Sequence, residues 1–210
     1  MEDKHIIINV GRQIGSGGRV IAQKLATTFN ATFYDREILE LAAKESGFAK
    51  EVFERNDEHK GFFRSLFNLH APNMSGNFYT PDLSQEALFK LQSDAIRKAA
   101  SEGPCVFVGR CADYVLRDFP EVFNVFVTAS IGFRIAHVKE RHGCSEEEAL
   151  RLIEKGESDR ASYYNYYTGK RWGAADNYHL CVDASLLGVE ATADFIADFI
   201  RSCQNSNRHE

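Results

Sequence analysis

Three glycines lie close together in a short stretch that follows the first apolar run of the chain. Gly15, Gly17 and Gly18 fall within four residues, between a β-like run at residues 6–10 and an amphipathic helical pattern. Glycines let successive backbone N–H groups point into one concavity, and the start of the following helix adds partial positive charge. The stretch predicts a binding site for phosphate groups. A tight strand-to-helix connection that binds nothing is the plainer alternative.

This stretch departs from the common phosphate-loop pattern, G-x-x-x-x-G-K-[ST]. When residues 15–17 are aligned with the end of that pattern, Gly18 stands at the lysine position and Arg19 at the hydroxyl position. Positive charge is present instead as Arg12 and Arg19, and a guanidinium can hold phosphate oxygens with two parallel hydrogen bonds. The sequence therefore predicts phosphate binding assisted by arginine, and it leaves the protein ligand of any metal ion unidentified.

A second charged signal, Gly109-Arg110, follows an apolar run at residues 105–108. Open α/β folds bind ligands at the edge where their parallel strands end, so Arg110 is expected at that edge. The alternative is a surface ion pair with Asp113 or Asp118. By itself this arginine leaves the two interpretations equally open.

A third charged group lies in the last third of the chain: Arg151, Lys155, Asp159, Arg160, Lys170 and Arg171. The first three step by four residues and so share one helix face, which is most often simply solvated. Residues 155–177 also contain four tyrosines within Tyr163–Tyr167, without a clear apolar period. Together with the phenylalanine-rich residues 47–85, they are candidates for mobile segments over a site.

The elements that must position these residues follow a regular alternation. Five apolar runs are typical of strands: residues 6–10, 32–34, 105–108, 123–127 and 180–182. Three of them are nearly continuous in apolar residues, which is expected of strands covered on both faces. Segments with helical periodicity lie between them, one opened by a capping box at Ser145. The alternation predicts an α/β fold with a five-stranded parallel sheet and helices on both faces.

Composition limits the classes of function. With 210 residues, 44% of them hydrophobic, the chain fits one compact α/β domain or two very small ones rather than a disordered or fibrous protein. A net charge of −5 argues against nucleic acid as a partner, and no apolar run approaches the roughly 20 residues that span a bilayer. Five cysteines, an odd number without a Cys-x-x-Cys pair, favour a reducing cytoplasm and no zinc site.

Taken together, the charged stretches resemble the cytidylate kinase-like family of P-loop kinases, within the nucleoside monophosphate kinases. The resemblance covers about residues 5–202 and depends on the order and spacing of six stretches: residues 12–22, 33–37, 108–114, 125–130, 159–160 and 178–183. It implies a three-layer P-loop fold as a single kinase domain over residues 1–203, with a flexible tail at 204–210. The core is expected at residues 5–35, 86–130 and 178–203, the acceptor-binding helical insertion at about 36–85, and the lid at about 142–177.

The resemblance also implies roles for individual residues. The donor triphosphate is expected on Gly15, Ser16, Gly17, Gly18, Arg19 and Val20. The acceptor is expected on Asp35, Arg36, Gly109, Arg110 and Asp113. The expected lid residues are Arg151, Lys155, Asp159, Arg160, Tyr163 and Tyr167. The expected catalytic cations are Arg19, Arg110 and Arg160. The lid tyrosines have no counterpart in ordinary cytidylate kinases, and stacking on a base and packing of the closed lid both remain open.

The Gly109-Arg110 pair resembles the Asp-Gly-Arg-Asp motif in which cytidylate kinases hold the monophosphate. Val108 and Cys111 stand where that motif has its acidic residues, and Asp113 is the nearest replacement carboxylate. The family activity implied is phosphoryl transfer from ATP with Mg²⁺ to a small nucleotide acceptor, CMP or dCMP first. A nucleotide-binding module without turnover and a kinase of a non-nucleotide metabolite are the alternatives. The oligomeric state is left open.

Overall fold

The structure, a computed structural model, describes residues 5–35 and 85–206. The chain divides into two compact units, residues 1–35 with 96–210 and residues 36–95. Of the second unit, the described part is residues 85–95, which are helical. The predicted acceptor-binding insertion, including Arg36, lies almost entirely outside the described residues.

The sheet consists of five strands, and every described pairing is parallel. The strands are β1 (Ile7–Arg12), β2 (Thr32–Tyr34), β3 (Cys105–Val108), β4 (Val122–Thr128) and β5 (Leu180–Asp183). Their order is β2-β3-β1-β4-β5, so that β1 lies at the centre. The predicted five-stranded parallel sheet is confirmed. The carboxyl ends of β1, β2 and β3, each followed by a charged residue or loop, meet at one edge.

Six helices accompany the sheet in the described part of the chain: α1 (Gly18–Thr28), α2 (Gln85–Glu102), α3 (Ala112–Val115), α4 (Ile131–His142), α5 (Glu146–Thr168) and α6 (Ala184–Ser206). A 3₁₀ turn, Ala175–Asn177, precedes β5. Helix α6 bends at Gly188, and residues 204–206 of the expected tail continue it. None of these described helices combines the length and apolar character that crossing a bilayer requires.

The core lies on the face of the sheet that α1 and α6 cover. Ile8 and Val10 of β1 pack there with Leu25 of α1 and Ile196 of α6, and all four are fully buried. Ile7 points to the opposite face and is also fully buried. Burial of one such side chain contributes roughly 1.5–3 kcal/mol to the free energy of unfolding, so the residues on both faces of β1 stabilise its position. This explains why β1 is continuously apolar in sequence.

Helix α5 is longer than its apolar residues indicate. It begins at the predicted capping box, where Ser145 and Glu148 exchange hydrogen bonds, and continues to Thr168. The positions that face the protein keep a helical spacing but hold few apolar residues: Ala149, Ile153, Gly156, Arg160 and Tyr164. Residues 155–168 are therefore helical although their sequence has no apolar period. The period is missing because the inward positions carry glycine, arginine and tyrosine.

Candidate functional site

The glycine stretch between β1 and α1 forms a loop that tolerates no side chain at two of its positions. Gly15 and Gly17 have φ angles of 79° and 78°, in the left-handed region that favours glycine. A Cβ at Gly15 would lie 2.5 Å from the carbonyl oxygen of Arg134, and one at Gly17 would lie 2.5 Å from Cγ2 of Val189. The predicted phosphate-binding loop is thus held in shape by close contacts on both sides.

The loop leads directly into the amino terminus of α1. The first intrahelical bond there runs from the Ile21 N–H to the Gly17 carbonyl at 3.1 Å, so the preceding N–H groups have no intrahelical acceptor. The first turn of α1 has no acidic residue to neutralise this positive end. Val20 is exposed at the start of the helix, whereas Ser16 is fully buried and its hydroxyl donates to the Gln13 carbonyl at 3.0 Å. An anion is the ligand that this arrangement suits.

A buried ion pair anchors the loop to α4 and α5. Arg134, which is 6% exposed, donates through Nε to the Ile14 carbonyl at 2.9 Å and pairs through Nη2 with Glu157. The same carboxylate oxygen of Glu157 accepts the Ile14 N–H at 3.3 Å. Both polar groups of Ile14 are therefore held by one ion pair, which sequence spacing alone did not indicate.

Substituting Glu157 with glutamine is expected to lower the free energy of unfolding by on the order of 3 kcal/mol, because Arg134 then stays buried without a counter-charge. Glu147→Gln is the matched control on the same helix. Its partner, Arg151, is 70% exposed, so a loss of about 0.5 kcal/mol is expected. Urea unfolding of both variants measures the difference, and equal losses would contradict the anchoring role of Glu157.

Arg12, the last residue of β1, extends its side chain across the start of the loop. A Cβ on Gly18 would lie 2.5 Å from the Arg12 Cβ and 3.1 Å from its Cγ, and a Cβ on Gly109 would overlap the Arg12 Nη1. The guanidinium ends 3.9 Å from the Asp35 carboxylate, and the side chain is 18% exposed. Two glycines from separate loops therefore leave the room that Arg12 occupies. From the sequence, Arg12 is predicted as a loop cation but is not among the expected site residues.

Three further arginines surround Arg12. Arg19 donates through Nε to Asp35 at 2.7 Å, and Arg160 donates through Nη1 to the Arg12 carbonyl at 2.8 Å. Arg110 is also close enough for its charge to act on Arg12. The predicted catalytic cations Arg19, Arg110 and Arg160, which lie far apart in sequence, are thus brought together around Arg12, which was predicted as a loop cation and not as a catalytic residue.

The charges in this arginine cluster, defined as Arg12, Arg19, Arg110 and Arg160, are not balanced. Burial of the Arg12 guanidinium, followed by repulsion from Arg160, lowers its pKa to about 9, against the opposing effect of Asp35. Burial likewise lowers the pKa of Arg160. Asp35 pairs with Arg12 and Arg19, and Glu157, which also acts on Arg160, is already paired with Arg134. The guanidinium groups therefore outnumber these carboxylates, and the cluster carries excess positive charge that a polyanion would relieve.

The turn after β3 presents Arg110 in an unusual conformation. Gly109, Arg110 and Cys111 all have positive φ angles, of 72°, 59° and 57°. Two consecutive non-glycine residues in the left-handed region cost on the order of 1–3 kcal/mol each, and such strain concentrates at functional sites. The turn directs Arg110 toward the cluster, and burial raises the pKa of the Cys111 thiol to about 12.

Tyrosines of α5 hold both ends of this turn. The Tyr163 hydroxyl is hydrogen-bonded to the Arg110 side chain, and the Tyr164 hydroxyl donates to Asp113 at 2.6 Å. Burial raises the pKa of Asp113. This carboxylate therefore belongs to a tyrosine network beside the arginine cluster, and its predicted contact with the acceptor stays a prediction. Tyr167 packs against Tyr163 with the rings tilted by 58° and their centroids 4.8 Å apart. The two tyrosines expected in the lid pack within α5.

The remaining lid residues of the prediction lie outside the arginine cluster. Arg151 is paired with Glu147 on the solvent side of α5, and Lys155 and Asp159 are exposed. Arg151 precedes Arg160 by nine residues, which is about 13 Å along a helix. Of the four charged residues assigned to the lid, the structure places Arg160 in the cluster. A role for the others stays a prediction.

The described side chains offer no ready-made metal site. Within residues 5–35 and 85–206, no three His, Cys, Asp or Glu side chains lie together in a metal-binding arrangement. Asp35, the carboxylate in the arginine cluster, is engaged by Arg19. The donor set does not fit a protein cage for Mg²⁺, and an ion arriving with a nucleotide would take phosphate and water oxygens as ligands.

Comparisons with known proteins agree with this geometry. The model of the cytidylate kinase-like family matches residues 7–186. Among solved structures, an uncharacterized protein from Eubacterium ventriosum ATCC 27560 is similar, with 28% identity and a TM-score of 0.72 over 94% of this chain and 99% of that chain. A shikimate kinase from Bacteroides thetaiotaomicron has 12% identity and a TM-score of 0.51 over 93% and 98% of the two chains. The comparison with curated proteins finds no significant match.

The shikimate kinase shares the fold alone at this level of identity, and that fold is the α/β arrangement of P-loop kinases. The family match extends from the first residue of β1 to the third residue of α6 and so includes the glycine loop and every member of the arginine cluster. The predicted fold class and resemblance are both confirmed. The chain belongs to the cytidylate kinase-like family and is a P-loop kinase.

Proposed function

We propose that this kinase transfers the γ-phosphoryl group of ATP to a nucleoside monophosphate, with CMP and dCMP as the first candidates. The observation that carries the proposal is the arginine cluster, in which four guanidinium groups from four segments outnumber the carboxylates that act on them beside a glycine loop. Phosphoryl transfer between two nucleotides brings several phosphates together, and neutralising their charge is the main task of such a site.

The donor side of the proposal is the loop from Gly15 to Val20. Its N–H groups and the uncompensated start of α1 suit the β- and γ-phosphates, and Arg19 at the first turn adds a charge. ATP would bring Mg²⁺ bound to its own phosphate oxygens. The protein itself then contributes position and positive charge.

The acceptor side is the edge formed by the ends of β2 and β3. Arg110, held by Tyr163, points to this edge and can grip a phosphate with two hydrogen bonds. An oxygen of the acceptor phosphate attacks the γ-phosphorus, and the bond from that phosphorus to the β,γ-bridging oxygen breaks. ADP leaves with the bonding electrons, and the acceptor becomes a nucleoside diphosphate. A phosphate acceptor is already deprotonated at neutral pH, so no side chain need remove a proton.

The partners in this proposal are small nucleotides, with neither nucleic acid nor a membrane involved, and the cytoplasm is the proposed location. The acidic composition and unpaired cysteines support this part of the proposal. The oligomeric state does not enter the argument, because every residue invoked belongs to one chain.

Turnover with a panel of acceptors tests the proposal. With ATP and Mg²⁺ present, CMP or dCMP is expected to yield ADP and the matching diphosphate in equal amounts, faster than AMP, GMP or UMP. A reaction without acceptor measures ATP hydrolysis alone. Thermal unfolding with ATP, and with ATP plus each monophosphate, is expected to show two successive increases in Tm.

The panel also separates the two alternatives. Transfer to shikimate or another hydroxylated metabolite, with no nucleotide phosphorylated, would replace the proposed acceptor class. An increase in Tm with ATP but no product from any acceptor would indicate a nucleotide-binding module. The absence of the phosphate-loop lysine favours the second alternative, since removing a cation at the transition state costs orders of magnitude in rate.

A further inference from the structure

The position of the missing lysine is occupied in space by another side chain. Gly18 aligns with the lysine of the phosphate-loop pattern, and its φ is not in the left-handed region, so a side chain is not excluded by conformation there. A side chain at residue 18 is excluded by Arg12, because the Arg12 Cβ lies 2.5 Å from the position of a residue 18 Cβ. The aliphatic part of the Arg12 side chain thus lies over Gly18, where a lysine side chain would start.

The guanidinium of Arg12 lies between the donor loop and the acceptor edge. It passes against Gly109, immediately before Arg110, and ends near Asp35 at the end of β2. Its main-chain carbonyl is held by Arg160 at 2.8 Å. In the proposed reaction, the γ-phosphoryl group moves from the donor to the acceptor through the space between the loop and this edge. A cation at this position therefore faces the phosphoryl group as it is transferred.

We infer that Arg12 is the catalytic cation of this kinase, taking over the work of the phosphate-loop lysine by binding the terminal phosphate of the donor. The inference deepens the proposed function and depends on it for the identity of the donor as ATP. Arg12 forms and breaks no covalent bond and moves no proton. It binds oxygens of the γ-phosphoryl group, whose negative charge shifts toward the bridging oxygen as ADP leaves.

The unbalanced charge around Arg12 supports this role. Burial and the neighbouring arginines lower its pKa to about 9, which leaves it charged at neutral pH but at a cost in free energy. A structural arginine is normally matched by carboxylates, as Arg134 is by Glu157. Among the residues that the structure describes, the nearest carboxylate to Arg12 is that of Asp35, which is shared with Arg19 and lies 3.9 Å away, so a phosphate oxygen can replace it.

Exchanging the arginine and the glycine tests the inference. The variants are Arg12→Gln, Arg12→Gly, Gly18→Lys and the double variant Arg12→Gly/Gly18→Lys, with Arg141→Gln on the exposed end of α4 as the control. Calorimetry with ATP·Mg²⁺ and with inorganic tripolyphosphate measures binding, ADP formation measures turnover, and thermal unfolding measures stability.

Arg12→Gln is expected to unfold at or above the wild-type Tm, because repulsion within the cluster is relieved. It should nevertheless lose on the order of 10²-fold in turnover and about tenfold in triphosphate affinity. Gly18→Lys alone should be less stable because its Cβ meets that of Arg12. The double variant should recover at least about tenfold in both quantities over Arg12→Gly, since the charge returns from the other position.

Wild-type triphosphate affinity in Arg12→Gln would overturn the inference, as would a folded double variant that recovers nothing. The binding measurements use no acceptor, so they remain decisive if no nucleoside monophosphate is phosphorylated. If no monophosphate is phosphorylated, the proposed substrate is contradicted. If the double variant recovers neither binding nor turnover, the role of Arg12 is contradicted.

Discussion

Gly15→Ala is expected to abolish measurable ATP binding and to lower the free energy of unfolding by about 2–3 kcal/mol. The added Cβ would lie 2.5 Å from the main-chain carbonyl oxygen of Arg134, which cannot move aside as a flexible side chain would. The left-handed φ of 79° adds strain of its own. Relief of both requires the loop to open, and the N–H groups that face a phosphate then lose their common direction.

Gly132→Ala is the matched control for this prediction. Gly132 lies near the start of α4, and its φ is not positive. A Cβ added there would meet no atom within 4 Å. Alanine there should raise stability by roughly 0.5–1 kcal/mol and leave ATP binding unchanged. Calorimetry with ATP·Mg²⁺ and thermal unfolding give both quantities. A Gly15→Ala protein that binds ATP as the wild type does would show that the loop is not the donor site.

Arg110→Gln is expected to lower kcat/KM for the accepted monophosphate by on the order of 10²-fold, with the Kd for ATP within about twofold of wild type. Two charge-assisted hydrogen bonds to a phosphate contribute roughly 1.5–3 kcal/mol each, and glutamine retains the stem but not the charge. The turn after β3 is separate from the donor loop along the chain, and the proposal places Arg110 on the acceptor phosphate, so the larger loss should fall on the acceptor.

Steady-state kinetics at saturating ATP, with the monophosphate varied, measure the effect of Arg110→Gln. Arg141→Gln, on the exposed last turn of α4, should leave both kinetic constants unchanged. An equal loss of ATP and monophosphate affinity in Arg110→Gln would place this arginine on the donor instead. Unchanged kinetics would remove it from the site.

Local patterns in the sequence predicted the elements well. The runs at residues 6–10, 32–34, 105–108, 123–127 and 180–182 correspond to the five strands, within about two residues at each end. Strands covered on both faces are continuously apolar, and a capping box marks a helix start wherever it occurs, so short windows suffice to find them. Helix α5 was harder to delimit because its inward positions hold Gly156, Arg160 and Tyr164 in place of apolar residues.

Asp113 shows what local patterns could not indicate. The resemblance implies that it binds the acceptor, which stays a prediction, and α3 brings it to the hydroxyl of Tyr164 in α5. That hydrogen-bond partner lies 51 residues away, and no local pattern links the two positions. The same holds for Glu157, whose contact with Ile14 spans 143 residues.

The sequence alone predicted the parallel α/β class, the glycine loop, the family and the arginines of the cluster, with Arg12 as a loop cation and the other three as catalytic cations. Short stretches and their order along the chain carry this information. The tertiary structure alone decided the strand order and the meeting of Arg12 with Arg110 and Arg160. The side chain of Arg12 fits because Gly18 and Gly109 have no side chains that would overlap it. This room can be recognised only in the folded chain, where separate strands end at one edge of the sheet.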